Sequence, residues 1–179
     1  SASGVIAKSG GSQALVVSSN ASWVASSQEG WITLSRSSGV GNASVTMTVA
    51  ANPTVAERTT MVVVTAGGTL VKAVSVTQAA GDPTLELSTA SWGALKNENT
   101  QTLAITSNTS WVAASDQSWL MPSVDSGVGN ADVVLTAAAN PTVLARRATV
   151  TVTTGGAVVK TVAVTQAADD AALAISPET

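Results

Sequence analysis

Apolar and polar residues alternate along this chain in short runs; they do not recur every third or fourth position. Val45-Thr46-Met47-Thr48-Val49 and Val74-Ser75-Val76-Thr77 each place apolar side chains on one face and hydroxyls on the other, the pattern of a half-buried strand. Turn residues separate the runs. Gly67-Gly68 follows Thr65-Ala66 between two such runs and supplies the positive φ angles of a tight hairpin. Asn52-Pro53 ends another run, because proline has no N–H to give a ladder. Over the second half of the chain this punctuation predicts strands near 85–88, 101–107, 110–114, 119–121, 131–138, 147–154 and 158–167.

The pattern occurs twice. An offset of 88 carries Trp23 to Trp111, Trp31 to Trp119, Gly39-Val40-Gly41-Asn42 to Gly127-Val128-Gly129-Asn130, and Ala51-Asn52-Pro53-Thr54-Val55 to Ala139-Asn140-Pro141-Thr142-Val143. It also carries Val76-Thr77-Gln78-Ala79-Ala80 to Val164-Thr165-Gln166-Ala167-Ala168. Residues 12–82 and 100–170 are identical at 40 of 71 positions without a gap. Repetition on this scale means two copies of one unit. The register continues, since Leu85-Glu86-Leu87-Ser88 aligns with Leu173-Ala174-Ile175-Ser176. The expected organisation is a first module over 1–82 without its opening strand, a second over 83–170, and the opening strand of a third over 171–179. That arrangement points to a piece of a longer tandem array. About seven short strands per module predict an all-β protein of two tandem immunoglobulin-like sandwiches.

Composition sharpens this. The chain has no Phe, Tyr, Cys or His, and five Trp. The large core residues must therefore be Trp, Leu, Ile and Met. Without cysteine there is no disulfide or thiolate metal site, and without histidine no Ser-His-Asp or Cys-His catalytic arrangement. Eight Lys+Arg against eleven Asp+Glu leave no basic stripe, which argues against a nucleic-acid partner. No apolar run approaches the ~20 residues of a membrane helix. The acids Glu29, Glu57, Glu86, Glu98, Asp116, Asp125 and Asp132 do not recur at the offset; only Asp82 and Asp170 do. Scattered acids do not form the carboxylate pair of a glycoside hydrolase. No enzyme activity, cofactor or metal is expected.

The order S-N-[AT]-S-W-V, a second Trp eight residues later, S-G-V-G-N, A-N-P-T, a Gly-Gly hairpin and a closing V-T-Q-A resembles the BACON domain family, over both modules and most of the chain. The resemblance implies β-sandwich modules of extracellular multidomain proteins of Bacteroidetes, often beside carbohydrate-active enzymes, and of their phages. It also implies carbohydrate binding, as the family name proposes.

Sugar modules stack a pyranose on an exposed aromatic ring ringed by amides. In this chain Trp23, Trp111, Trp31 and Trp119 are expected in the core, the latter pair nearer the rim. Trp92 stands outside the repeat, where the first module has Gly4. Two readings of it stand side by side. It packs at a module junction or sheet end, or it forms a glycan platform with Asn97, Asn99 and Gln101. The matched cations Lys72/Lys160 and Arg58/Arg146 are expected as guards on strand edges, with an acidic glycan as the alternative. Gly39-Val40-Gly41-Asn42 is expected as a turn.

The function expected from these features is a non-catalytic spacer in a secreted or cell-surface protein. Its partners are the neighbouring domains of the same polypeptide, with a stiff linker at Ala79–Thr84. The alternatives are a mucin- or polysaccharide-binding module and an adhesive repeat of a phage appendage.

Overall fold

A computed structural model describes residues 5–155 and 158–173. It is all-β, with 17 strands among the described residues, and divides into two compact units, Ser1–Asp82 and Pro83–Thr179.

In the first unit the strands are β1 (Val5–Ile6), β2 (Gly11–Val17), β3 (Ser22–Ser27), β4 (Ile32–Leu34), β5 (Ser38–Val40), β6 (Ala43–Val49), β7 (Arg58–Ala66) and β8 (Leu70–Gln78). They form a five-stranded sheet in the order β1-β8-β7-β3-β5 and a three-stranded sheet in the order β2-β6-β4. All pairings are antiparallel except β1 with β8. The alternation in Val45–Val49 does what it predicts: Val45, Met47 and Val49 are buried while Thr46 and Thr48 face solvent.

The second unit comprises β9 (Leu85–Leu87), β10 (Ser91–Ala94), β11 (Asn99–Ser107), β12 (Ser110–Ser115), β13 (Leu120–Pro122), β14 (Ser126–Val128), β15 (Ala131–Ala137), β16 (Arg146–Thr154) and β17 (Val158–Gln166). Its five-stranded sheet, β10-β17-β16-β12-β14, repeats that of the first unit. Its other sheet, β13-β15-β11-β9, has a fourth strand. One continuous core built on Trp111, Leu103, Leu135 and Val150 lies between the sheets.

Two short strands per unit escape the sequence pattern. β10, like β1, runs parallel to the closing strand, and its Ser-Trp-Gly-Ala has no alternation. β14, like β5, lies within the stretch expected to be a turn. Gly39 and Gly127 are strand residues without positive φ; Gly41 and Gly129, at φ 71, make the turn. The Gly67-Gly68 corner has φ of 56 and 78, as a tight reversal requires. The opening strand expected over 171–179 falls mostly on 174–179, outside the described residues.

Candidate functional site

The five tryptophans are the only side chains able to present a ring to a sugar, so their placement decides what kind of site the chain can offer. Trp23 and Trp111 are each 2% exposed, in the middle of their units. Each indole N–H donates to a backbone carbonyl, Trp23 Nε1 to Gly41 O at 2.9 Å and Trp111 Nε1 to Gly129 O at 3.0 Å. The ring lies flat on the neighbouring edge strand: a Cβ on Gly39 or Gly127 would stand 2.4 Å from the ring's Cζ2. Glycine is therefore present at these strand positions to let the ring in.

Trp31 and Trp119 are half-buried against the cores. One face of each is covered from within the unit. The Arg58 guanidinium lies 4.4 Å from the Trp31 ring centroid and that of Arg146 4.3 Å from Trp119. The arginines are in turn fixed. Arg58 Nε donates to Gln78 Oε1 at 2.8 Å and its Nη2 to the carbonyls of Ala50 and Ala51 at 3.0 Å. Gln78, fully buried, donates to the carbonyls of Ala7, Lys8 and Ala50. In the second unit Arg146 reaches Gln166, Ala138 and Ala139, and Gln166 reaches Leu95 and Ala138. The expectation of Arg58 and Arg146 as edge guards is thus corrected: β7 and β16 lie inside their sheets, and each arginine bridges a buried glutamine, two carbonyls and a ring. Lys160 does lie on a stretch of β17 beyond the reach of β10, and pairs with Glu86 at 3.3 Å.

The Asn-Pro-Thr corner is equally committed. Asn52 Nδ2 donates to Ala56 O and Ala79 O, while its Oδ1 accepts from the Thr54 N–H and hydroxyl. Asn140 repeats this with Leu144, Ala167 and Thr142. The acids that recur are straps: Lys8 pairs with Asp82 at 2.5 Å, and Lys96 with Asp170 and, at 3.3 Å, Asp169. Hydrogen bonding to Asp170 and Asp169 raises the Lys96 pKa. The Asp170 backbone N–H, then Lys96, lowers that of Asp169. Among the described residues no group of three His, Cys, Asp or Glu stands together to hold a metal ion, and no helix is long and apolar enough to cross a membrane.

Trp92 lies on β10, half-buried against the second unit's core, in register with Val164. Asn97 is exposed in the loop after β10, and Asn99 and Gln101 stand on β11, in the other sheet. Gln101 donates to the neighbouring Thr102 carbonyl at 3.1 Å. No hydrogen bond among the described residues links Trp92 to the three amides. Sequence reasoning missed Gln78/Gln166 and the Lys8/Lys96 straps. Their signal was available, since both pairs keep the 88-residue offset.

A family model, BACON, described as "Putative binding domain, N-terminal", matches residues 21–79 and again 109–167. No curated protein matches the chain. Among solved structures, a Bacteroides ovatus GH5 xyloglucanase in complex with a XXXG heptasaccharide is similar at 30% identity over 48% of this chain, with a TM-score of 0.46. The Yersinia pseudotuberculosis adhesin InvE is similar at 12% identity over 90%, with a TM-score of 0.45, and the endo-fucoidan hydrolase MfFcnA4 at 12% over 93%, with a TM-score of 0.38. The chain spans 19% of the xyloglucanase chain, 56% of the adhesin chain and 28% of the fucoidan hydrolase chain.

Proposed function

The chain belongs to the BACON family, and we propose that it works as a pair of non-catalytic immunoglobulin-like spacer modules within a larger secreted or cell-surface protein. The observation that carries this reading is the commitment of the repeated tryptophans to the fold itself. In both units one indole is buried and its N–H used, and the other has a face covered by arginine. A sugar platform needs a free ring face, and in each unit one repeated ring is buried while the other has one face taken up by arginine.

The partners in this reading are the adjoining domains of the same polypeptide, carbohydrate-active ones by the family resemblance. The linker Ala79–Thr84 is short and holds Pro83, whose fixed φ limits bending. Residues 1–179 are expected to show no retardation in affinity gels containing mucin or plant polysaccharide; retardation by either contradicts the spacer role.

One observation favours a second reading. Trp92 is the aromatic residue outside the repeat and is half-buried, not buried. With Asn97, Asn99 and Gln101 it would make a single glycan contact on the second unit. Affinity electrophoresis in gels containing mucin or plant polysaccharide tests it. Retardation that disappears in Trp92→Ala, with the melting temperature unchanged, would replace the spacer reading by this one.

A further inference from the structure

In the second unit the segment that brings the chain in and the strand that takes it out lie side by side and run the same way. β10 pairs in parallel with β17, Ser91 beside Ala163 and Ala94 beside Gln166. The entering segment meets β17 in order. Glu86 reaches Lys160 at 3.3 Å, the Ala163 N–H donates to Ala90 O at 2.9 Å, and the Ala167 N–H donates to Ala94 O at 3.0 Å. Entry and exit therefore stand at opposite ends of one seam. A pull on the two ends slides one strand along the other and strains these bonds together. A pull at one end of an antiparallel pair instead opens its bonds one after another.

Past β10 the seam is fastened by side chains. Gln166, fully buried, donates from Nε2 to Leu95 O at 2.9 Å, and the Asn140 N–H donates to Lys96 O at 2.8 Å. On the exit side Asn140 Nδ2 donates to Ala167 O at 2.9 Å, and the Asp169 N–H donates to Thr142 O at 2.8 Å. The Lys96 ammonium then crosses to Asp170 and, at 3.3 Å, Asp169. Exposed ion pairs contribute little to stability at rest. These, however, join the two segments that a pull would separate. The first unit repeats the arrangement: Val5 and Ile6 run parallel to Thr77 and Gln78, Gln78 reaches Ala7 O and Lys8 O, the Asn52 N–H reaches Lys8 O, and Lys8 pairs with Asp82. Lys8, Asn52, Gln78 and Asp82 all recur at the 88-residue offset, as Lys96, Asn140, Gln166 and Asp170. Exposed Thr59 and Met61 on β7 do not; they become Arg147 and Thr149.

We propose that the second unit is a tension clamp, which stays folded when the polypeptide is pulled along its length, and that the β10–β17 seam with its Lys96 strap is the part that resists. This rests on the spacer reading, because the adjoining domains of the same polypeptide supply the tension when one is held and the other drawn away. Unfolding under force is set by the barrier to the first rupture and not by equilibrium stability. Bonds that must break together raise that barrier more than the same bonds broken in turn.

Constant-force tweezers on the full chain 1–179 test this. The chain has no cysteine, so a pair of introduced thiols fixes where the handles attach. Thr84→Cys with Ala171→Cys pulls along the seam, and both sites are exposed. Ala145→Cys with Ala171→Cys pulls at one end of the antiparallel β16–β17 pair and peels it. At one and the same force, unfolding along the seam is expected to be at least about tenfold slower than the peel. Ala167→Pro removes the N–H given to Ala94 O and leaves the β16–β17 pairing in place as far as Gln166. It is expected to speed unfolding along the seam several-fold and to leave the peel unchanged. Lys96→Ala is expected to do the same with the melting temperature held. Equal rates in the two directions overturn the proposal. So do variants that speed both directions alike, since they mark contacts of general stability only. The spacer reading fails separately, through retardation in glycan gels, which the direction of pulling does not affect.

Discussion

Trp111 and Gly127 face each other across β12 and β14, and the ring occupies the space a side chain at 127 would need. Trp23 and Gly39 stand in the same relation in the first unit. A Cβ at 2.4 Å from ring carbon requires the indole or the edge strand to move. Gly127→Ala is therefore expected to destabilise the second unit by about 1–3 kcal/mol through overpacking. Trp111→Leu costs stability alone, but the double variant should lose less than the two single losses added together. Denaturant midpoints of the four proteins check this.

The buried Gln166 satisfies two carbonyls and the Arg146 Nε at once. Gln166→Leu is expected to cost about 2 kcal/mol or more, because it leaves buried polar groups without partners. Arg146→Lys should not rescue an Arg146→Ala variant, since an ammonium cannot lie flat on Trp119 while reaching Gln166 and two carbonyls. Iodide quenching of Trp119 should rise in both variants.

The Thr154 hydroxyl is buried with no hydrogen-bond partner among the described residues, and the first unit has Ala66 at the same register. Thr154→Val keeps the volume and removes the orphaned group. It is expected to raise stability by about 1 kcal/mol. Thermal unfolding of the variant checks this.

The Lys96 strap titrates at both ends of the pH scale. Asp169 has a lowered pKa, so its contribution is complete above the ordinary aspartate range and is lost as pH falls through its own lower value. Lys96 has a raised pKa, so its contribution is complete below the ordinary lysine value and is lost as pH rises through the raised one. NMR titration of the Asp169 carboxyl should report the first displacement. Lys96→Ala should reduce it without abolishing it, because the Asp170 N–H is the larger cause.

Most of the fold is legible in the sequence because the units are repeated and their strands alternate. Val45–Val49 and Val158–Gln166 announce themselves by period, and the positive-φ glycines mark the corners. What escapes is held by contacts distant in the chain. Ser91–Ala94 is a strand because β17 lies beside it, not because of its own residues. Gly127 looks like a turn residue because its need for glycine comes from a ring 16 positions earlier. Arg146 looks like a surface cation because Gln166 and Trp119, which hold it, are 20 and 27 residues away. The site reading suffers most. A tryptophan's type does not say which way it faces, and only neighbours decide that.

The central claim is that the repeated aromatic residues serve the fold and leave no sugar platform. Tryptophan fluorescence with iodide quenching, on the intact pair and on Trp92→Ala, with a panel of soluble mucin and plant oligosaccharides, tests it most directly. The account predicts that Trp23 and Trp111 are shielded, that quenching is confined to partly open rings, and that no saccharide shifts the emission. A saccharide that shifts the spectrum and protects a ring, with the effect lost in Trp92→Ala, contradicts it.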